Sequence, residues 1–171
     1  MTHEVSELSR WVAVRQSVNR DVEVIADEAE RARLAERFNL VRVDMLEAKV
    51  LIGKDGEAYT ADGRLKARIV QSCAVSGEDL AVRIDEPLSL RFLAETADMD
   101  DEIELAENDC DEIFFSGDRF DLGEAVAQSL ALAIDPFATG PEADRVRKQV
   151  GLEEPEKENP FAALRALSPK D

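Results

Sequence analysis

Between Val41 and Phe92 apolar and polar residues alternate with a period of two, and this pattern restricts the fold more than any other feature of the chain. Successive side chains of a strand point to opposite faces, so such a stretch is stable only in a sheet with one face covered. Leu46, Ala48, Val50 and Ile52 alternate with Glu47, Lys49 and Leu51, and residues Gly53 to Gly56 then turn the chain. Leu65, Ala67 and Ile69 alternate with Arg64, Lys66 and Arg68, the clearest strand of the sequence. A turn near Ser76-Gly77 leads back through Leu80, Val82 and Ile84. Pro87 is expected to break that run, leaving Leu88, Leu90 and Phe92 as a separate strand against Ser89 and Arg91. Consecutive strands joined by short turns predict an antiparallel sheet and argue against a βαβ unit.

Helical signals flank the sheet. Residues 8–18 are expected to supply a first strand, followed by a helix over 26–38. There Asp27 and Glu30 have the spacing of a capping box, Leu34 and Phe38 share one face, and Asn39 suits the left-handed stop. A second helix begins at Asp121, with Glu124 placed to complete its capping box, and ends before Pro136. From Leu122 to Ile134 only Gly123, Glu124, Gln128 and Ser129 are not apolar, so this helix must be buried on most sides. The predicted class is α+β: an antiparallel, curved, barrel-like sheet with that helix packed on it or plugged into it, plus an N-terminal helix and a short C-terminal helix. Beyond Gly140 the composition turns polar. A short helix is expected over 142–149, a linker over 153–158, and a terminal helix capped by Asn159, with Phe161, Leu164 and Leu167 on one face. Residues 1–140 are thus expected to form the α+β domain, with an acidic loop over 93–119, and 141–171 a polar linker with the short helix. There is no internal repeat.

The net charge of −17 is not evenly spread. Residues 1–92 hold 14 basic and 17 acidic side chains, residues 93–124 hold 1 and 13, and residues 125–171 hold 6 and 8. The core of the middle stretch, 95–112, has no helical or strand period and is expected to be a solvated, mobile loop ending in a short strand. Asp98, Asp100, Asp101 and Glu102 resemble divalent-cation ligands in type, yet the alternating ligands, sixth-position glycine and closing glutamate of a calcium loop are missing. Acidity this strong disfavours DNA and membrane surfaces as partners. No apolar run approaches the roughly 20 residues of a membrane span, and no secretory leader is expected.

Nucleophiles are scarce. The single histidine, His3, lies near the N-terminus, phosphate-cradling glycine motifs are absent, and Gly53 and Gly56 belong to a turn. No catalytic residue, metal or cofactor is therefore assigned. Cys73 and Cys110 form no spaced cluster, as in a reduced cytoplasmic protein. Cys73 reads as a small buried residue beside a turn, and Cys110, among carboxylates, as an unreactive thiol. One cationic feature stands out against the acidic total. Arg64, Lys66 and Arg68 share the outward face of a strand, Arg83 belongs to its hairpin partner, and Arg91 is placed on the next strand. Such a face can contact RNA phosphates. On the residues alone the favoured account is a solvated sheet face that discourages edge pairing and receives the acidic loop, since aromatics for base stacking are missing from it.

Three segments carry a family resemblance. They are the strand from Arg64 to Cys73 running into Val75-Ser76, the helix from Phe120 to Pro136, and the ending from Asn159 to Leu167, in this order. Together with the acidic stretch, they make the chain similar to the bacterial YceD family, the large ribosomal RNA subunit accumulation proteins. The resemblance implies a cytoplasmic protein needed for accumulation or processing of large-subunit rRNA, with no enzymatic mechanism to carry over. Many members have Cys-x-x-Cys where this chain has Cys73 and Ser76, so a metal or redox role shared by the family cannot rest on this turn. The expected function is a non-enzymatic ribosome-biogenesis factor that binds a large-subunit precursor through rRNA, a basic ribosomal protein, or both, without membrane or DNA. The acidic stretch would mimic rRNA phosphates toward a basic protein. Arg64, Lys66, Arg68, Arg83 and Arg91, with Phe161, Leu164 and Leu167, are the candidate contacts. The alternatives are a metal-dependent nuclease acting on precursor rRNA through Asp100 and Asp101, and a generic acidic interaction adaptor.

Overall fold

The computed structural model describes residues 6–95 and 111–151. In chain order the elements are β1 (Trp11–Ala13), α1 (Val14–Ser17), β2 (Arg20–Ile25), α2 (Glu28–Arg37), β3 (Arg42–Asp55), β4 (Ala58–Ser72), β5 (Asp79–Ala94), β6 (Asp111–Phe115), β7 (Arg119–Asp121), α3 (Leu122–Ala133) and α4 (Ala143–Gln149). The period-two region becomes a meander in which β2, β3, β4 and β5 pair antiparallel in sequence order. β6 adds to β5 as the fifth strand, and it does so in parallel, so the sheet is not wholly antiparallel. A separate two-stranded ladder joins β1 to β7. The five-stranded sheet stays open and does not close into a barrel, and α3 packs on one face of it.

That covered face carries the alternating apolar set. Leu46, Ala48, Val50 and Ile52 of β3, Leu65, Ala67 and Ile69 of β4, and Leu88, Leu90 and Phe92 of β5 are all buried in one core with Leu122, Val126 and Leu130 of α3. Phe92 stacks on Phe120 with ring centroids 3.9 Å apart, and Phe115 meets Phe120 edge-on at 5.7 Å. Phe92 is fully buried, and its truncation to Ala costs roughly 3–5 kcal/mol by the usual transfer and cavity terms. Midway along β4, a Cβ on Gly63 would overlap the carbonyl oxygen of Lys49, so only glycine lets β3 and β4 approach as they do there.

The structure corrects the sequence expectations at several points. Pro87 does not divide the fourth strand, because β5 runs unbroken through it. β6 reaches only Leu90–Ala94, which leaves β5 with an open edge at Pro87, and a missing N–H there need not remove a ladder hydrogen bond. Residues 8–18 yield a strand of only three residues and a single helical turn, while the extended β2 follows at Arg20–Ile25. On α3 the side chain of Leu132 is 76% exposed, so the apolar circumference of that helix is not fully covered by the described residues. The α2 signals are met as read: Asp27 and Glu30 form a reciprocal capping box, and Asn39 has φ 53°. Most of the acidic stretch, Cys110 and the Asn159–Leu167 segment with Phe161, Leu164 and Leu167 lie outside the described residues.

Candidate functional site

The face of the sheet opposite α3 is built from the polar half of the alternation. Register sets its side chains in rows across β3, β4 and β5: Lys49–Arg64–Pro87, Glu47–Lys66–Asp85 and Met45–Arg68–Arg83. All five cations expected on this surface, Arg64, Lys66, Arg68, Arg83 and Arg91, do lie on it. Arg91 belongs to the same strand as Arg83 and not to the next one.

Neighbouring charges divide these cations into two groups. Arg64 pairs with Asp85 at 2.7 Å, and Arg91 pairs with Asp55 at 2.9 Å and lies 3.8 Å from Glu112. On β3, Lys49 pairs with Glu23 at 2.8 Å, which raises the pKa of its ammonium, chiefly through that hydrogen bond. Arg68 and Arg83 instead face each other directly across the ladder. Both are exposed, as is Lys66, and among the described residues none of the three makes an ion pair or side-chain hydrogen bond. Like charges directly opposite on an antiparallel pair disfavour the sheet. The arrangement is three unneutralised cations on a rigid surface, two of them with planar forks suited to bidentate recognition of oxyanions.

Two features were not foreseen from the residues alone. One is a set of ion pairs around the N-terminus of α3. Asp121 caps α3 without a capping box: its carboxylate accepts from the N–H groups of Gly123, Glu124 and Arg10 and from the Ser9 hydroxyl. Glu124, expected to close that box, instead receives both terminal nitrogens of Arg37 on α2, at 2.8 and 3.0 Å, and the Ser6 hydroxyl. The Arg37 hydrogen bonds hold the Glu124 carboxyl down at about 2, and Arg37 is raised above its ordinary value in return.

The other feature is the setting of Cys73. Its side chain is buried as expected, but the Sγ accepts N–H groups from Val75 at 3.4 Å, Ser76 at 3.3 Å and Gly140 at 3.4 Å. The Ser76 hydroxyl, and after it these backbone donors, push the thiol down to about 6. Gly140 is far away in sequence, so no local pattern signals this contact. Among the described residues no group of three or more His, Cys, Asp or Glu is placed to hold a metal ion. His3, Asp98, Asp100, Asp101 and Glu102 fall outside them. No helix is long and apolar enough to cross a membrane, among the described residues.

A family model described as the large ribosomal RNA subunit accumulation protein YceD matches residues 61–168, a span that begins within β4 and takes in the Arg68–Arg83 pair and α3. No curated protein and no solved structure matches the chain.

Proposed function

The chain belongs to the YceD family of large ribosomal RNA subunit accumulation proteins, and we propose that it serves this role in the cytoplasm by binding a large-subunit precursor, without catalysis, with Lys66, Arg68 and Arg83 set against RNA phosphates. The observation that carries this reading is the directly opposed Arg68–Arg83 pair, which among the described residues is not neutralised. On the same face Arg64, Lys49 and Arg91 each have a carboxylate partner, so the lack of one at this pair is not a general property of the surface. A phosphate between the two guanidinium groups would turn a mutual repulsion into two charge-assisted contacts. The three rows carry no aromatic side chain, so the contact is to backbone and not to stacked bases. The acidic stretch over 93–124 repels RNA and is left to face a basic protein of the same precursor. Phe161, Leu164 and Leu167 are assigned the apolar contact with that precursor.

The test is binding of the purified chain to large-subunit rRNA fragments, followed by fluorescence anisotropy across a salt series. Arg68→Ala with Arg83→Ala should weaken binding about tenfold and flatten the logarithmic salt dependence by about one to two, roughly one for each phosphate that is no longer neutralised. Unchanged affinity and slope would remove this face from the interaction. Magnesium-dependent cleavage of the same fragments by clean protein would overturn the non-catalytic reading.

A further inference from the structure

β6 pairs with β5 at Leu90–Ala94, beyond the cationic rows at Arg83–Pro87, and residues of β6 and α3 line cavities together there. Two cavities of about 570 and 270 Å³ adjoin each other there, with Ile113, Ala125 and Gln128 in the walls of both, and together they make a grooved surface. Trp11 and Phe114 line one end and Leu132 the other, with 56, 42 and 76% of their surfaces exposed. Large apolar side chains gathered along a concave surface mark an interaction site, unlike single ones scattered over a protein.

The rim is acidic. Asp121 and Glu124 are engaged in capping and in the Arg37 pair, but the carboxylates of Glu95 and Asp118, both lining the Trp11 end, make no ion pair or side-chain hydrogen bond among the described residues. Among the described lining residues one cation is present, Arg119, whose guanidinium lies 5.1 Å from the centre of the Trp11 ring. The indole thus already holds a guanidinium on its face, the geometry in which aromatic rings attract cations.

We propose that this groove docks an extended segment of a basic protein in which lysine or arginine alternates with bulky apolar residues. The apolar side chains would occupy the floor between Ile113 and Leu132, and the cations would meet Glu95, Asp118 and the Trp11 ring. Charge selects this occupant over the others. RNA is repelled by the 13 acidic side chains of residues 93–124. The chain's own residues 152–171 hold five acidic and three basic side chains and share the sign of the rim. The groove contains none of the cationic sheet residues, so this inference stands apart from the RNA reading, and either can fail alone.

Trp11 is the only tryptophan, so its emission reports occupancy of the groove. The full chain is titrated with short synthetic peptides alternating arginine with leucine, glutamate with leucine, and arginine with serine. The arginine–leucine peptide should shift the emission saturably, the glutamate–leucine peptide should not bind, and the arginine–serine peptide should bind about tenfold more weakly. Asp118→Asn with Glu95→Gln should weaken the arginine–leucine peptide about tenfold, and Leu132→Ser, at an exposed position, about threefold. Equal binding of both arginine peptides, or indifference to the Asp118 and Leu132 variants, would reduce the effect to non-specific attraction and overturn the proposal. So would an emission shift produced by a short RNA, or one produced without peptide by Phe161→Ser with Leu164→Ser, which would identify the chain's own terminal segment as the occupant.

Discussion

Two arginine pairs in this molecule have opposite surroundings. Arg10 and Arg37 lie where the N-terminal segment, α2 and α3 meet, and their donors are met by carboxylates. Arg10 places both terminal nitrogens on Glu30, at 2.6 and 2.8 Å, and also donates to the carbonyls of Ser9 and Ile25. Arg37 grips Glu124 with two nitrogens and Glu7 with one, at 2.7 Å. Arg68 and Arg83 sit on the open sheet face with each other as cross-strand neighbours and, among the described residues, no carboxylate partner. The first pair fixes α2 and α3 to the chain before them, through charges that are only partly solvated. The second adds nothing visible to stability and leaves two guanidinium groups without an ion pair among the described residues. Residue type does not separate the neutralised arginines from the unneutralised ones; the partners do.

The largest effect should come from breaking the first pair. Arg10→Met leaves Glu30, 8% exposed, without its principal partner and should cost roughly 2–3 kcal/mol in urea unfolding. A loss below about 1 kcal/mol would mean that the capping-box hydrogen bond to the Asp27 N–H already satisfies Glu30, and the contrast with Arg68 would weaken.

The next effect is a pH dependence. Glu124 titrates near 2 in the folded chain against an ordinary value of 4.5, so its contribution is fully present above 4.5 and is lost as the pH falls from there toward 2. Its carboxylate is partly exposed, and solvent screening brings the expected loss to about 1 kcal/mol. Glu124→Gln should lower stability by that amount at neutral pH and remove this part of the acid sensitivity, as read from urea midpoints across that window. A variant that keeps the wild-type acid slope would place the acid-labile group elsewhere.

Much of this contrast was hidden from the sequence, for a definite reason. The period of two fixes which way Arg64, Lys66 and Arg68 point, and the hairpin turn at Gly77 brings Arg83 to their row. Whether a cation on that face is neutralised depends on carboxylates from other strands. Asp85 reaches Arg64 from 21 residues away and Asp55 reaches Arg91 from 36 residues away. Neither separation leaves a local pattern. The α2 capping box was legible because all its atoms come from four consecutive residues, whereas Glu124 has the same spacing from its cap and is drawn instead to Arg37, 87 residues away. β6 offers five residues, too few to reveal whether its partner ladder is parallel. The groove beside it depends on that ladder, on α3 and on the short β1–β7 pairing, so Trp11 could be read only as part of a first strand.

On the open face itself the effects on stability should be small and of the opposite sign. Arg68→Ala with Arg83→Ala removes a like-charge contact and should leave stability unchanged or raise it by about 0.5 kcal/mol while RNA binding falls. A loss above about 1 kcal/mol would make this pair structural too.

The smallest change sharpens the comparison most. Asp85 neutralises Arg64 through an ion pair in which both side chains are more than half exposed, at 58 and 55%, so Asp85→Asn should move stability by no more than about 0.5 kcal/mol. If the lack of a carboxylate is what makes a cation on this face available, the substitution converts Arg64 from the first kind of arginine to the second. RNA affinity should then rise about twofold to threefold, with a salt dependence steeper by up to about one phosphate contact. A weaker complex would mean that Asp85 positions Arg64 for the phosphate instead of withholding it, and pairing alone would no longer separate the two kinds.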